Sequence, residues 1–176
     1  MGPPELSKRG MAWPHYAGFT IGFTHFPRLS RWYFESEAMA RIDLSDDDRL
    51  SLMKKQILSP KMHAKDRQFF ENDDILRVSL LSGRNHYLQS SEACIQDGAL
   101  MSANTGFRIA DIPRSLPVGL WYAKHDTACP VIHGQQTAER LGPSAELHIE
   151  DETHASISIN RMGEVFDFLK GKMLET

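Results

Sequence analysis

The strongest constraint on this chain is a change of period in its second half. Leu116-Pro117-Val118-Gly119-Leu120-Trp121-Tyr122 is a short, continuous apolar run bounded by turn residues. A run of that kind reads as a strand covered on both faces, as in a parallel sheet. Pro130 then stands at a helical N1 position and opens a helix from Val131 to Leu141, which Gly142-Pro143 closes. Ala145 to Glu150 alternates with period two, the mark of an edge or half-covered strand. Met162, Val165, Phe166, Leu169 and Met173 follow i, i+3, i+4, i+7 spacing, which predicts a helix with one apolar stripe. Strand, helix, strand, helix predicts a parallel pair joined by a right-handed crossover.

The first hundred residues contain no convincing strand. Trp13, Phe19, Phe23 and Phe26 recur at roughly helical spacing and Pro27 closes the segment. Leu29, Trp32, Tyr33 and Met39 predict an aromatic-rich helix from Pro27 to Arg41. Ser45 before Asp46-Asp47-Asp48 reads as an N-cap with acidic residues in the first turn. Leu50, Met53, Ile57 and Leu58 share a face of that helix, which Pro60 ends. Asn72-Asp73-Asp74 starts a long helix in which Ile75, Val78 and Leu81, with Leu76 and Leu80 beside them, lead through Tyr87 and Leu88 to Gly98. Two regions are therefore expected, a helical one over 1–106 and a βαβα one over 107–176, with the boundary around Ser102-Ala103-Asn104-Thr105-Gly106. No internal repeat and no low-complexity segment is found.

Composition narrows the function classes. With 41% hydrophobic and 24% charged residues among 176, the chain lies far from the signature of disorder. A net charge of −3 with no block of Lys or Arg argues against nucleic acid. Two cysteines, Cys94 and Cys129, are too few for a disulfide-stapled scaffold. The start, Met1-Gly2-Pro3-Pro4-Glu5, lacks a secretory signal, and Leu6 stands where myristoylation needs Ser or Thr. Tyr16 to Phe26 falls short of the ~20 apolar residues that span a bilayer. A cytoplasmic, non-membrane protein is expected.

In open parallel sheets functional groups gather beyond the carboxyl ends of the strands. Asp126 follows the first strand and His154 the second. An acid and a histidine at the ends of neighbouring strands can meet, fixing the imidazole tautomer and stabilising the imidazolium. Taken alone, Asp126 reads as a turn residue bonding its own backbone, and His154 as a surface or satisfied histidine. Their order and spacing favour a pair derived from a catalytic triad.

Here the sequence resembles the α/β-hydrolase superfamily. The resemblance rests on the strand Leu116–Tyr122, the His125-Asp126 pair, the helix opened by Pro130-Val131, and Thr153-His154-Ala155 after the second strand. It covers about residues 107–172 and is looser over 1–106. Gly2-Pro3-Pro4 resembles the stretch after the strand that follows the nucleophile helix. The fold class implied is α/β: a partial α/β-hydrolase fold, a helical cap followed by a βαβα unit with two parallel strands. The resemblance implies hydrolysis of an ester or related small substrate, with Asp126 as the triad acid and His154 as its base. The family's Gly-x-Ser-x-Gly elbow occurs nowhere in the chain, and its glycine-rich oxyanion loop is also absent. Little or no hydrolase activity is therefore expected of the chain alone. The alternative is a non-catalytic small-ligand-binding or scaffold module derived from a hydrolase.

Other candidates are weaker. His125, Asp126, Cys129 and His133 lie within nine residues and carry zinc-ligand chemistry. Their spacings are not the usual paired ones, and the competing reading makes Cys129 a small packed residue and His133 a helix-surface one. No metal and no cofactor is expected. Ser156 lies two positions from His154, too close for easy proton transfer, and nothing marks Cys129 as an activated thiolate. Tyr16, Trp32 and Tyr33, with Phe34, could line a substrate pocket, but their helical spacing favours core packing. Two parallel strands leave backbone groups unpaired along the sheet edge, so an isolated chain that is marginally stable, self-associating or dependent on a partner is expected.

Overall fold

The computed structural model describes residues 6–58, 62–88, 90–104 and 106–174. Helices dominate, with one two-stranded parallel sheet among the described residues. The chain forms two compact units, one of residues 1–16 with 100–176 and one of residues 17–99. A single cut near residue 106 was expected, whereas the residues ahead of Ala17 fold with those after Ala99. The reason is a set of long-range contacts. Leu6 packs with Ile109 and Leu141, Ser7 N donates to Gln136 Oε1 at 2.7 Å, and Ala12 N donates to Thr127 O at 2.8 Å. The Gly2-Pro3-Pro4 stretch lies outside the described residues.

In the helical unit the start signals act as their chemistry dictates. A helix α1 (Trp13–Ala17) enters it and passes through a π-helical turn, Gly18–Gly22, into α2 (Phe23–His25). Helix α3 (Pro27–Glu35) has Pro27 in its first turn and stops short of the expected Arg41. Helix α4 (Asp46–Ile57) is capped by Ser45, whose hydroxyl accepts from Asp48 N at 3.2 Å. Pro60, expected to end it, lies outside the described residues. Helix α5 (Ala64–Phe70), unforeseen, is capped by the His63 ring, which accepts from Lys65 N at 3.3 Å. Helix α6 (Asp73–Tyr87) is capped by Asn72 and ends before Gly98; a separate helix α7 (Glu92–Leu100) follows.

The core of this unit is Ala38, Leu50, Met53, Leu76 and Leu80. The buried face of α6 is thus the Leu76–Leu80–Gly83 line, while Val78 and Leu81 point outward. Arg49 is buried within this core, its guanidinium donating to the carbonyls of Ala38, Met39 and Leu80 at 3.2, 2.8 and 3.3 Å. One side chain thus ties the segment ahead of α4 to α6.

In the other unit β1 (Val118–Ala123) pairs parallel with β2 (Ala145–Glu150), from Val118 opposite Ala145 to Ala123 opposite Glu150. Helix α8 (Val131–Leu141) connects them and ends at Gly142, whose φ of +69° with ψ of −142° is a combination that glycine, lacking a Cβ, adopts readily. Helices α9 (His154–Asn160) and α10 (Met162–Leu174) follow. Gly134 brings α8 against the Tyr122 ring, and on another side chain of β1 the Trp121 ring meets Phe168 of α10 edge-on at 5.5 Å. Successive side chains of β1 therefore contact a helix each, as alternation across a strand requires. Residues Val118–Tyr122 are nonetheless only half-buried, because a two-stranded sheet supplies few neighbours. No helix among the described residues is long and apolar enough to cross a membrane.

Candidate functional site

The carboxyl ends of β1 and β2 place two loops side by side. Beyond the last strand pair, Lys124 N donates to Glu150 O at 2.9 Å and His125 N to Glu152 O at 3.0 Å. The ladder thus runs on into the loops and fixes their spacing.

On the first loop Asp126 is nearly buried, its side chain 6% exposed. Its Oδ1 accepts from Ala128 N at 2.7 Å and Cys129 N at 2.8 Å. Those bonds wrap the chain from β1 into Pro130, the N-cap residue of α8. The turn role considered from sequence is real, and it uses one carboxylate oxygen. The other, Oδ2, lies 2.8 Å from His154 Nδ1. Burial raises the Asp126 pKa, but the His154 hydrogen bond, the Cys129 amide, the His154 charge and the Ala128 amide outweigh it, so the group titrates below the ordinary carboxylate value. An ionised carboxylate only accepts, so Nδ1 is the nitrogen that donates to it, and Nε2 is the one left to act as a base.

On the second loop Thr153 is buried and caps α9, its hydroxyl accepting from Ser156 N at 3.2 Å while Thr153 N donates to Ser156 Oγ at 2.9 Å. His154 is the first residue of α9 and its side chain is 66% exposed. Beneath it Glu152, also buried, accepts from Ser156 Oγ at 2.6 Å and from Asn160 Nδ2 at 3.1 Å, with Arg161 Nη2 at 3.4 Å. Ser156 is fully buried and its proton is directed to Glu152, which makes it a structural hydroxyl.

The structure brings Asp126 and His154 together as the sequence led one to expect. The zinc constellation over His125, Asp126, Cys129 and His133 does not assemble. His125 Nε2 instead meets Asp151 Oδ1 at 2.8 Å, both exposed, a second histidine–acid contact across the two loops that the sequence reading missed. His133 is buried rather than on the helix surface, and burial lowers its pKa. A different trio does converge: donor atoms of Asp126, Cys129 and His154 all lie within 4.8 Å of one another.

The aromatic residues divide. Phe23 is buried and packs against Phe19 and Phe34, with centroids at 5.0 and 5.9 Å, which is the core role expected of the stripe. Tyr16, Trp32 and Tyr33 are exposed, so core packing is corrected for these three. On α3 the inward position is taken by Phe34, leaving its two predecessors facing outward. Compared with protein-family models, with curated proteins and with solved structures, the chain matches none.

Proposed function

We propose that this chain carries the acid–base half of a hydrolase site of the Ser–Asp–His kind, in a partial α/β-hydrolase fold, acting on an ester or related small substrate. The observation that supports it most is the 2.8 Å contact of His154 Nδ1 with a buried, ionised Asp126. In this reading His154 Nε2 takes the nucleophile's proton and returns it to the leaving group. Asp126 holds the tautomer and stabilises the imidazolium. A cytoplasmic setting belongs to the same proposal.

The nucleophile has to be brought to Nε2 by other sequence, since the chain holds no Gly-x-Ser-x-Gly. Purified chain is accordingly expected to leave a panel of p-nitrophenyl esters uncleaved. Turnover that disappears with His154→Ala would contradict the missing nucleophile. The assignment itself is tested by joining the chain to an α/β-hydrolase segment that contains such an elbow. An esterase abolished by His154→Ala supports it; a folded joined protein without esterase activity overturns it in favour of a non-catalytic ligand module, the reading that the missing elbow also favours.

A further inference from the structure

We propose that Asp126, Cys129 and His154 form a binding site for a thiophilic divalent cation, zinc by preference. The three come from different places in the chain: Asp126 from the loop after β1, Cys129 from the residue before Pro130, and His154 from the start of α9. Their donor atoms nevertheless lie within 4.8 Å of one another. Around a tetrahedral zinc, with bonds of about 2.0–2.3 Å, ligand atoms sit roughly 3.3–3.7 Å apart. No pair lies beyond 4.8 Å, so none has to close by more than roughly 1.5 Å to meet that geometry.

The donor chemistry selects the ion. Carboxylate alone suits magnesium and calcium, but a thiolate and an imidazole turn the preference to zinc and its soft neighbours. Three protein ligands with a fourth position open to water is also the pattern of zinc sites that do chemistry. The two backbone amides on Asp126 Oδ1 hold the carboxylate in place, as outer partners of metal ligands do. His125 and His133 are not needed: one is engaged with Asp151 and the other is buried in α8.

Binding balances as follows. The Cys129 thiol loses its proton to solvent and the thiolate sulfur forms a bond to the metal. The neutral imidazole keeps its single proton, on whichever nitrogen does not face the metal. One proton is released per ion, so affinity falls as the medium becomes acidic. With the metal in place Asp126 no longer orients the ring, and the imidazole no longer serves as a base. Metal and general-base catalysis are thus alternative states of the same three side chains. This inference stands on the donor geometry and does not require the hydrolase reading.

The test uses the full chain with Co²⁺ as an optical probe and Zn²⁺ in competition with a chromophoric chelator. Wild type is expected to give a sulfur-to-cobalt charge-transfer band at one ion per chain, displaced by Zn²⁺ with release of one proton. Cys129→Ser removes the band. His154→Ala, at an exposed position that the fold tolerates, weakens Zn²⁺ binding by more than about 100-fold, beyond what loss of an outer partner costs. Cys94→Ser leaves both unchanged. No cobalt–thiolate band in wild type, a band that survives Cys129→Ser, or a band lost with Cys94→Ser overturns the proposal. Because the readout is optical, its failure is separate from any failure of the esterase assay.

Discussion

Asp126 does two jobs with two oxygens, and the two can be separated by substitution. Asparagine keeps an oxygen for the Ala128 and Cys129 amides but offers N–H rather than a lone pair to His154 Nδ1. Asp126→Asn is therefore expected to move the imidazole proton from Nδ1 to Nε2, read directly by nitrogen-15 NMR of the ring. Retention of the Nδ1 tautomer would refute the orienting role. The same residue has a pH signature. Its folded pKa is lowered, so its stabilising contribution is complete above the unfolded value near 3.9 and is lost as pH falls below it toward the folded value. Urea midpoints should drop more steeply below about pH 4 in wild type than in Asp126→Asn; parallel curves would remove the claim. At this scale the sequence was informative where chain order did the work, as for Asp126 and His154. It was silent on Glu152, which reads as one acid in an acidic loop until Ser156, Asn160 and Arg161 gather on it.

At the scale of elements, legibility followed the caps. Ser45 and Asn72 announce α4 and α6 because their side chains satisfy helical N–H groups within three residues. The inward face of α6 was misread by one position: Ile75, Val78 and Leu81 compete with Leu76 and Leu80 in a helix apolar on much of its circumference. What selects the second line is packing against α4 and the Arg49 clamp, and neither is a local property. Arg49→Met keeps the aliphatic stem and takes the guanidinium from the Ala38 and Met39 carbonyls. An unsatisfied buried group costs about 1–3 kcal/mol, so chemical denaturation should show a loss at least that large. An unchanged midpoint would mean that water replaces the guanidinium. Gly134→Ala probes the other unit. A Cβ there would run into the Tyr122 ring, which belongs to the strand bearing the Asp126 loop. Overpacking of that kind costs about 1–3 kcal/mol, and a neutral effect on thermal unfolding would show that the ring has room to move.

Over the whole molecule, the sheet is the feature that asks for company. Each strand has a single neighbour among the described residues, and α10 exposes Phe166, Leu169 and Met173 at 62, 50 and 78%. These three belong to the apolar stripe read from the sequence, where the pattern is plain but what covers it is not. Unpaired strand edges template further pairing. Sedimentation velocity should accordingly show a weight-average mass that rises with protein concentration, and a single monomeric boundary at all concentrations would contradict this. Tertiary context also explains why the division into units escaped the sequence: Leu6 and Ser7 join the unit that holds the sheet through contacts with Leu141 and Gln136 on α8, more than a hundred residues away.

The double duty of Asp126 has an evolutionary corollary. In a lineage that had abandoned turnover, selection on foldability alone would preserve aspartate at 126, because the passage into α8 is built on it. Position 154, solvent-facing and dispensable to that passage, would be the first to drift. On the hydrolase proposal, orthologous sequences can therefore be sorted by what they carry at 154.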